Sequence, residues 1–128
     1  GRSFSLGIAD AVTVLAADAP TADAAATMIA NAVDLPDHPR IIRVPADSLQ
    51  PDSDLGTRLV TRSVGVLDPH EISRALTRGV RFAEQLLEEG RIRAAALHLF
   101  GETRLVLDHP GLMSLIGRQK EMEIHAAG

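Results

Sequence analysis

The stretch "DPHEISRALTRGVRFAEQLLEEG", residues 68–90, predicts the helix around which the rest of the fold is organised. Asp68 is a good N-cap residue, Pro69 suits the first helical position, and Glu71 completes a capping box. Apolar residues then recur at about every 3.6 residues, the period of an amphipathic helix. Gly90 supplies a left-handed stop at the C-terminal end. We therefore expect a long helix that packs one face into the core.

Three arginines of the same stretch lie close together along this helix: Arg74, Arg78 and Arg81. Two interpretations are open, an anion-binding patch and a solvated helix face. The net charge of −4 and the pI of about 5.7 argue against a general attraction to phosphate backbones. Aromatic residues make up only 2% of the chain, which leaves few rings on which bases could stack. We therefore expect no nucleic-acid partner.

Short strands and turns surround the helix. The patterns predict six strands: Ser3–Ile8, Ala11–Ala16, Arg40–Pro45, Leu59–Val66, Ile92–Phe100 and Arg104–Leu107. The first two are expected to form a hairpin through "GIAD", and the last two a hairpin around "GET". The segment "ADSLQPDSDLGTRLV" reads as a loop that leads into the fourth strand. Within residues 110–128, "LMSLIGRQKEMEIH" is either a final helix or a docked arm.

A second helix is predicted over "TADAAATMIANAVD", Thr21–Asp34. Asp18 or Thr21 can cap it, and the prolines of "LPDHP" should end it near Asp34. Its expected apolar face consists of Ala25, Met28, Ile29, Ala32 and Val33. Taken together, the elements predict an α+β fold in which β-hairpins form an antiparallel sheet with two main helices packed on it.

The composition bounds the class of protein. The 128 residues suit a single domain or lobe, and an apolar content of 45% suits a packed core. The absence of cysteine excludes disulfide scaffolds, thiolate catalysis and cysteine-ligated zinc. No apolar run approaches the length of a membrane span, so we expect no membrane partner and a cytoplasmic location.

The polar residues of the second helix form a candidate metal site. At about 100° per residue, Asp23, Thr27, Asn31 and Asp34 fall within an arc of roughly 80°, opposite the apolar face. Asp23 and Thr27 are one turn apart, and Asp23 is expected in the first turn, where the helix dipole favours an anion. A carboxylate and a hydroxyl make a partial shell for Mg²⁺, which leaves its other positions to water or phosphate. Small polar residues at a crowded surface are the alternative interpretation.

The strand "AVTVLAAD" followed by the helix start "TADAAATMI" resembles the signature of the ApbE family. These are Mg-dependent flavin transferases, once described as thiamine-biosynthesis lipoproteins, with a "SVTV" strand, a short turn and "ADALATA". Asp23 matches the family's metal-binding Asp, and Thr27 matches the Thr or Asp that shares the ion. The longer stretch "SFSLGIADAVTVLAADAPTADAAATMIANAVDLP" is more similar to an uncharacterised bacterial and archaeal ApbE-like group, and the resemblance covers most of the chain.

The resemblance implies an ApbE-like, T-fold-related fold, Mg²⁺ at Asp23 and Thr27, and FAD or FMN as the ligand. Because the chain begins at Gly1 inside a strand-like pattern, we expect it to be the C-terminal half of a longer ApbE-like protein. Its expected partners are that N-terminal half, in the same chain or a second subunit, and further copies in a homo-oligomer. Neither a catalytic residue nor a flavin-contacting residue is assigned.

Three functional hypotheses follow. The first is an enzyme lobe, similar to an FAD:protein FMN transferase, in which Asp23 and Thr27 hold Mg²⁺ against a phosphate-bearing ligand. The second is a non-catalytic ligand-binding or structural domain that retains the ApbE-like fold. The family's segment "H-I-[IL]-[DN]-P-x-T-G" is replaced here by "GRSFSLGIAD", which favours the second hypothesis, whereas Asp23 and Thr27 favour the first. A different hydrolase or transferase on the same fold is the third.

The remaining polar candidates have weaker sequence support. His38 follows the second helix in "LPDHP", and such loop histidines are mostly solvated. His98 is expected as a cross-strand surface residue. His70 and the pair Asp108–His109 have no convergent partner in the pattern. Ser3 and Ser5 lie in "GRSFSLG", whose spacing matches no phosphate-cradling loop.

Overall fold

The fold is α+β, as predicted, and a computed structural model describes residues 6–52, 54–107 and 123–127. The helices are α1 (Ala19–Ala32), α2 (Ala46–Leu49) and α3 (Pro69–Glu88). The strands are β1 (Ala11–Ala16), β2 (Ile41–Pro45), β3 (Leu59–Val64), β4 (Ala94–Leu99), β5 (Glu102–Leu107) and β6 (Glu123–Ala127). None of the helices within these ranges combines the length and apolar character of a membrane span.

The main sheet is antiparallel throughout, with the strand order β5-β4-β1-β6. Side chains alternate across it as the pleat requires, so that Val12, Val14 and Ala16 of β1 are buried while the residues between them are half-buried. The buried residues face α1 and α3, which cover one side of the sheet. Strands β2 and β3 form a separate antiparallel pair with a register shift between Ile42 and Arg43.

The hairpin between β4 and β5 is tighter than predicted. Phe100 and Gly101 alone connect the strands, with φ angles of 47° and 79°. Positive φ at both central residues is the conformation of a type I′ turn, whose twist suits a two-residue hairpin. Glu102 and Thr103, assigned to the turn by the sequence pattern, therefore belong to β5.

Helix α1 packs against the rest of the fold mainly through alanine side chains. Asp18 caps it by accepting a hydrogen bond from the Thr21 N–H at 2.8 Å, and it ends at Ala32, two residues before the predicted boundary at Asp34. Its buried residues are almost all small: Ala22, Ala25, Ala26, Ile29 and Ala30. The prediction that Met28 belongs to the core face is wrong, because its side chain is 45% exposed.

Helix α3 has the predicted ends. Asp68 accepts from the Glu71 N–H at 2.8 Å, and the Glu71 carboxylate accepts from the Asp68 N–H at 3.0 Å, which completes the capping box. Gly90 follows the helix with a φ of 74°. Within the helix, Gly79 lies where α1 and β4 approach most closely. A Cβ added there would lie 2.4 Å from Val33 Cγ2 and 2.7 Å from Leu97 Cδ2.

The predicted hairpin between Ser3–Ile8 and β1 is wrong in its described part. Residues 6–8 are not a strand, and the Leu6 N–H donates to Asn31 Oδ1 at 3.2 Å near the C-terminal end of α1. The Ile8 N–H donates to Val33 O at 2.8 Å, and both edges of β1 are taken by β4 and β6. The segment that continues to residue 10 therefore tethers the C-terminal end of α1.

Two further segments differ from the pattern. Ala46–Leu49, predicted as loop, forms the short helix α2. Residues 123–127, predicted within a final helix or docked arm, form β6 against β1. The rest of the predicted final helix, residues 112–122, lies outside the described residues.

We predict that Gly79→Ala lowers the free energy of unfolding by about 1–2 kcal/mol. Overpacking a filled core costs about 1–3 kcal/mol, whereas the better helix propensity of alanine returns up to about 1 kcal/mol. Chemical denaturation measures the difference. The double variant Gly79→Ala/Val33→Ala should lose less than the sum of the single variants, because Val33 Cγ2 is the nearest atom to the new methyl group. A Gly79→Ala protein as stable as the wild type would contradict the close approach.

Candidate functional site

The candidate metal ligands Asp23 and Thr27 lie one turn apart on the exposed surface of α1. The Thr27 hydroxyl donates to the main-chain oxygen of Asp23 at 3.2 Å. This bond fixes the hydroxyl hydrogen toward the helix and leaves the oxygen lone pairs available on the outer side. Within the described residues, no hydrogen bond or ion pair engages the Asp23 carboxylate.

The expectation that Asp23 lies in the first turn of the helix is wrong. Helix α1 begins at Ala19, and its first turn contains no acidic residue. The sequence left the cap open between Asp18 and Thr21, and the earlier of the two is used, which moves Asp23 to the fifth helical position. The favourable dipole at the N-terminus falls off within about one turn, so Asp18 and not Asp23 benefits from it.

The other two residues of the predicted polar arc have structural roles. Asn31 Oδ1 accepts from the Leu6 N–H at 3.2 Å. Asp34 forms an ion pair with Arg43, and both side chains are less than one-fifth exposed. The polar face of α1 therefore divides into an exposed pair, Asp23 and Thr27, and a half-buried pair that secures neighbouring segments.

Arg43 and Thr61 complete this tether from the β2–β3 pair. Arg43 Nη1 donates to Leu6 O at 3.0 Å and to Thr61 Oγ1 at 3.1 Å, and Thr61 Oγ1 donates to Gly7 O at 2.8 Å. Gly7 has no room for a side chain, because a Cβ there would lie 2.5 Å from Ala30 O. The sequence pattern missed this network, which joins residues far apart in the chain and follows no local spacing.

Asp23 and Thr27 fit a hard cation by the chemistry of their donors. Both present oxygen, the ligand atom that Mg²⁺ prefers, and both are open to solvent on the same side of α1. Across the described part of the chain, no group of three or more His, Asp or Glu side chains is assembled around an ion. Two protein oxygens match the usual Mg²⁺ site, in which water and ligand phosphate fill the remaining positions.

His38 is a structural residue at the N-terminus of α3. Its Nε2 pairs with the Glu71 carboxylate, and its Nδ1 accepts from the Arg40 N–H at 3.1 Å. Because Nδ1 accepts, the ring proton lies on Nε2, so neither nitrogen is free to take a proton from a ligand. Arg40 Nη1 also donates to Glu71 at 3.3 Å. The contact between His38 and Glu71 thus holds the loop that follows α1 against the N-terminus of α3.

Glu71 is held in its charged form by this arrangement. The hydrogen bond from the Asp68 N–H, followed by the bond from His38, lowers the pKa of the Glu71 carboxyl from 4.5 to about 2. The hydrogen bonds from Thr21 similarly lower the pKa of the Asp18 carboxyl at the start of α1. Both carboxylates therefore act as caps and not as proton donors.

Of the remaining polar candidates, two histidines lie at the protein surface, and the other residues are outside the described ranges. His98 Nδ1 lies 2.9 Å from Thr103 Oγ1, and the two residues are cross-strand partners, as the sequence predicted. His70 is exposed in the first turn of α3. The candidates Asp108, His109, Ser3 and Ser5 lie outside the described residues.

An apolar groove of about 310 Å³ lies between α1 and the C-terminal end of α3. It is lined by Pro20, Thr21, Ala24, Ala25, Met28, Leu86 and Arg91. Asp23 lies about 140° around the helix from Met28, at about 100° per residue, and so faces away from this groove. The groove and the candidate metal ligands therefore occupy different flanks of α1.

We predict that removing the side chain of Asp34 destabilises the protein more than removing the side chain of Asp23. Asp34→Ala should lower the free energy of unfolding by about 1–3 kcal/mol, because Arg43 loses its half-buried partner and the Leu35 N–H loses its acceptor. Asp23→Ala should stay within about 0.5 kcal/mol of the wild type, as surface substitutions do. Denaturant unfolding of both variants gives the comparison. Equal losses of unfolding free energy in the two variants would contradict the different roles of Asp23 and Asp34.

We predict that Glu71 makes the protein less stable in acid. A carboxyl whose pKa is lowered on folding stabilises the fold above its unfolded pKa, and this contribution is lost as the pH falls through the folded value. The loss should therefore appear between about pH 4.5 and pH 2, the unfolded and folded values of Glu71. Melting temperatures across this window measure it. In Glu71→Gln, the melting temperature should fall less steeply as the pH falls. The same slope in the variant and the wild type would contradict the role of Glu71.

Comparison with protein families identifies the family of this chain, whereas two other comparisons found no match. Searches of curated proteins and of solved structures returned nothing similar. The family model described as AbpE bacteria matches residues 1–105, which include all of β1, α1 and α3. Because the match covers well over half of the 128 residues, the chain belongs to the family described as AbpE bacteria, a name that suggests a relationship to ApbE proteins.

Proposed function

We propose that this protein binds a phosphate-bearing ligand, a flavin nucleotide such as FAD or FMN, through Mg²⁺ held by Asp23 and Thr27. The observation that carries the proposal is the pair of exposed oxygens one turn apart on α1. Membership of a family whose name suggests ApbE supports it, as does the similarity of "AVTVLAAD" and "TADAAATMI" to the ApbE signature.

The two side chains have distinct roles in this proposal. The Asp23 carboxylate supplies the negative charge that attracts the cation, and the Thr27 hydroxyl, held by its bond to Asp23 O, presents a neutral oxygen. When bound, Mg²⁺ supplies charge neutralisation at phosphate oxygens. Ligand affinity should therefore depend on both the ion and the phosphate.

The surface around the two oxygens is suited to a close approach. Ala24 is the exposed residue next to Asp23, and the exposed face of α1 from Asp23 to Met28 carries no lysine, arginine or glutamate. A phosphate group can therefore approach the oxygens without displacing a long side chain of this segment. No cationic side chain of this segment competes with the metal for Asp23.

Binding without group transfer is the version that the described residues favour. Transfer from a flavin nucleotide requires a group that takes a proton from the acceptor, and both nitrogens of His38 are engaged with Arg40 and Glu71. His98 is paired with Thr103 on the strand hairpin. These contacts support the ligand-binding alternative, a domain that retains the ApbE-like fold without the transfer chemistry.

We predict that Mg²⁺ and FAD together raise the melting temperature of the protein more than either does alone. Ligand at about a hundred times its dissociation constant adds about 2.7 kcal/mol of stability. Asp23→Ala should abolish the joint effect, because the charged ligand of the cation is lost. Thermal unfolding with Mg²⁺, FAD, both and neither measures the coupling.

Two matched variants control this experiment. Thr27→Ser retains the hydroxyl and should keep most of the joint shift, whereas Thr27→Val should lose it. Glu84→Ala removes an exposed carboxylate from α3, away from the pair, and should behave as the wild type. A joint shift that persists in Asp23→Ala would overturn the proposed site, and the absence of any shift in the wild type would overturn the proposed ligand.

A further inference from the structure

A second groove of about 310 Å³ lies along α3 between His70 and Arg81. We call it the arginine groove, and it is lined by Leu35, Pro36, His70, Ser73, Arg74, Thr77, Arg78 and Arg81. We propose that the arginine groove binds a small ligand that carries two or more phosphate groups. This goes beyond the proposed function, because the groove lies past the end of α1 and does not include Asp23 or Thr27.

The three arginines are available to an anion. Arg74, Arg78 and Arg81 are separated by four and three residues, the spacings that place side chains on one side of a helix. All three are exposed, and none forms an ion pair or a side-chain hydrogen bond with the rest of the described chain. Four other arginines do form such ion pairs: Arg40, Arg43, Arg91 and Arg104.

Helix stability does not explain this charge pattern. Like charges at these spacings repel each other. Helix α3 nevertheless places Arg74, Arg78 and Arg81 at these spacings, while its last turn, where positive charge would be favourable, holds Glu88 and no basic residue. A merely solvated face would be more stable with alternating signs, so the pattern indicates a bound anion.

The side chains of the arginine groove favour a ligand that carries more than one phosphate group. The guanidinium group donates two parallel hydrogen bonds that match phosphate oxygens. From Arg74 to Arg81 the helix rises about 10 Å, at 1.5 Å per residue, which exceeds a single phosphate and suits a chain of them. Ser73 and Thr77 add hydroxyl groups, and Leu35 and Pro36 form an apolar wall. The net charge of −4 and the aromatic content of 2% argue against a nucleic-acid strand.

Isothermal titration with tripolyphosphate, in buffer that contains EDTA and no metal, tests the proposal. The chelator separates this site from the Mg²⁺-dependent one, so failure here leaves the proposed function untouched. Arg78→Gln should weaken binding about tenfold, because a hydrogen bond to a charged group is worth about 1.5 kcal/mol or more. The triple variant Arg74→Gln/Arg78→Gln/Arg81→Gln should lose binding, and its circular dichroism and unfolding curve show that it is folded.

Arg62→Gln is the matched control, because Arg62 is an exposed arginine on β3 outside the groove. It should bind tripolyphosphate as the wild type does. Equal weakening in Arg62→Gln and Arg78→Gln, or an affinity for tripolyphosphate no higher than for monophosphate, would overturn the proposal. Tighter binding of a short single-stranded oligonucleotide or of anionic lipid vesicles, lost in the triple variant, would also overturn it in favour of that partner.

Discussion

The close approach of α1, α3 and β4 at Gly79 is the constraint on which the rest of the structure depends. Val33 and Leu97 fill the space where a side chain of residue 79 would lie. With only three phenylalanines and no Trp or Tyr in the chain, the core consists of aliphatic side chains that contact one another at short range. Nowhere in residues 6–52 or 54–107 is a polar or charged side chain buried, so the polar groups of these ranges lie at the boundary of this core.

This packing determines which surface of α1 is free to bind a metal ion. Because the alanines of α1 face the sheet and Met28 faces α3, the opposite flank remains for Asp23 and Thr27. The same flank is anchored at its C-terminal end by Asn31 and Asp34, which bind the segment before β1 and Arg43 of β2. The proposed metal ligands thus belong to a helix fixed at both ends, by the Asp18 cap and by this tether.

Local signals in the sequence predicted the two long helices, α1 and α3, but they did not predict the contacts between distant segments. The capping box at Asp68, the stop at Gly90 and the strand Ala11–Ala16 each depend on neighbouring residues, and all three are present. The hairpin predicted before β1 failed because residues 6–8 bond to α1 across the fold. The predicted polar arc is uniform on a helical wheel, whereas in the structure Asp34 lies beyond the end of α1 and pairs with Arg43.

The most direct test of the account is a crystal structure of the protein with Mn²⁺ in place of Mg²⁺ and with FAD, measured for anomalous scattering by the metal. We expect an anomalous peak within coordination distance of the Asp23 carboxylate and Thr27 Oγ1, with ligand phosphate oxygens in the same shell. A peak bound to other side chains, or FAD phosphates bound without metal at this position, would contradict it.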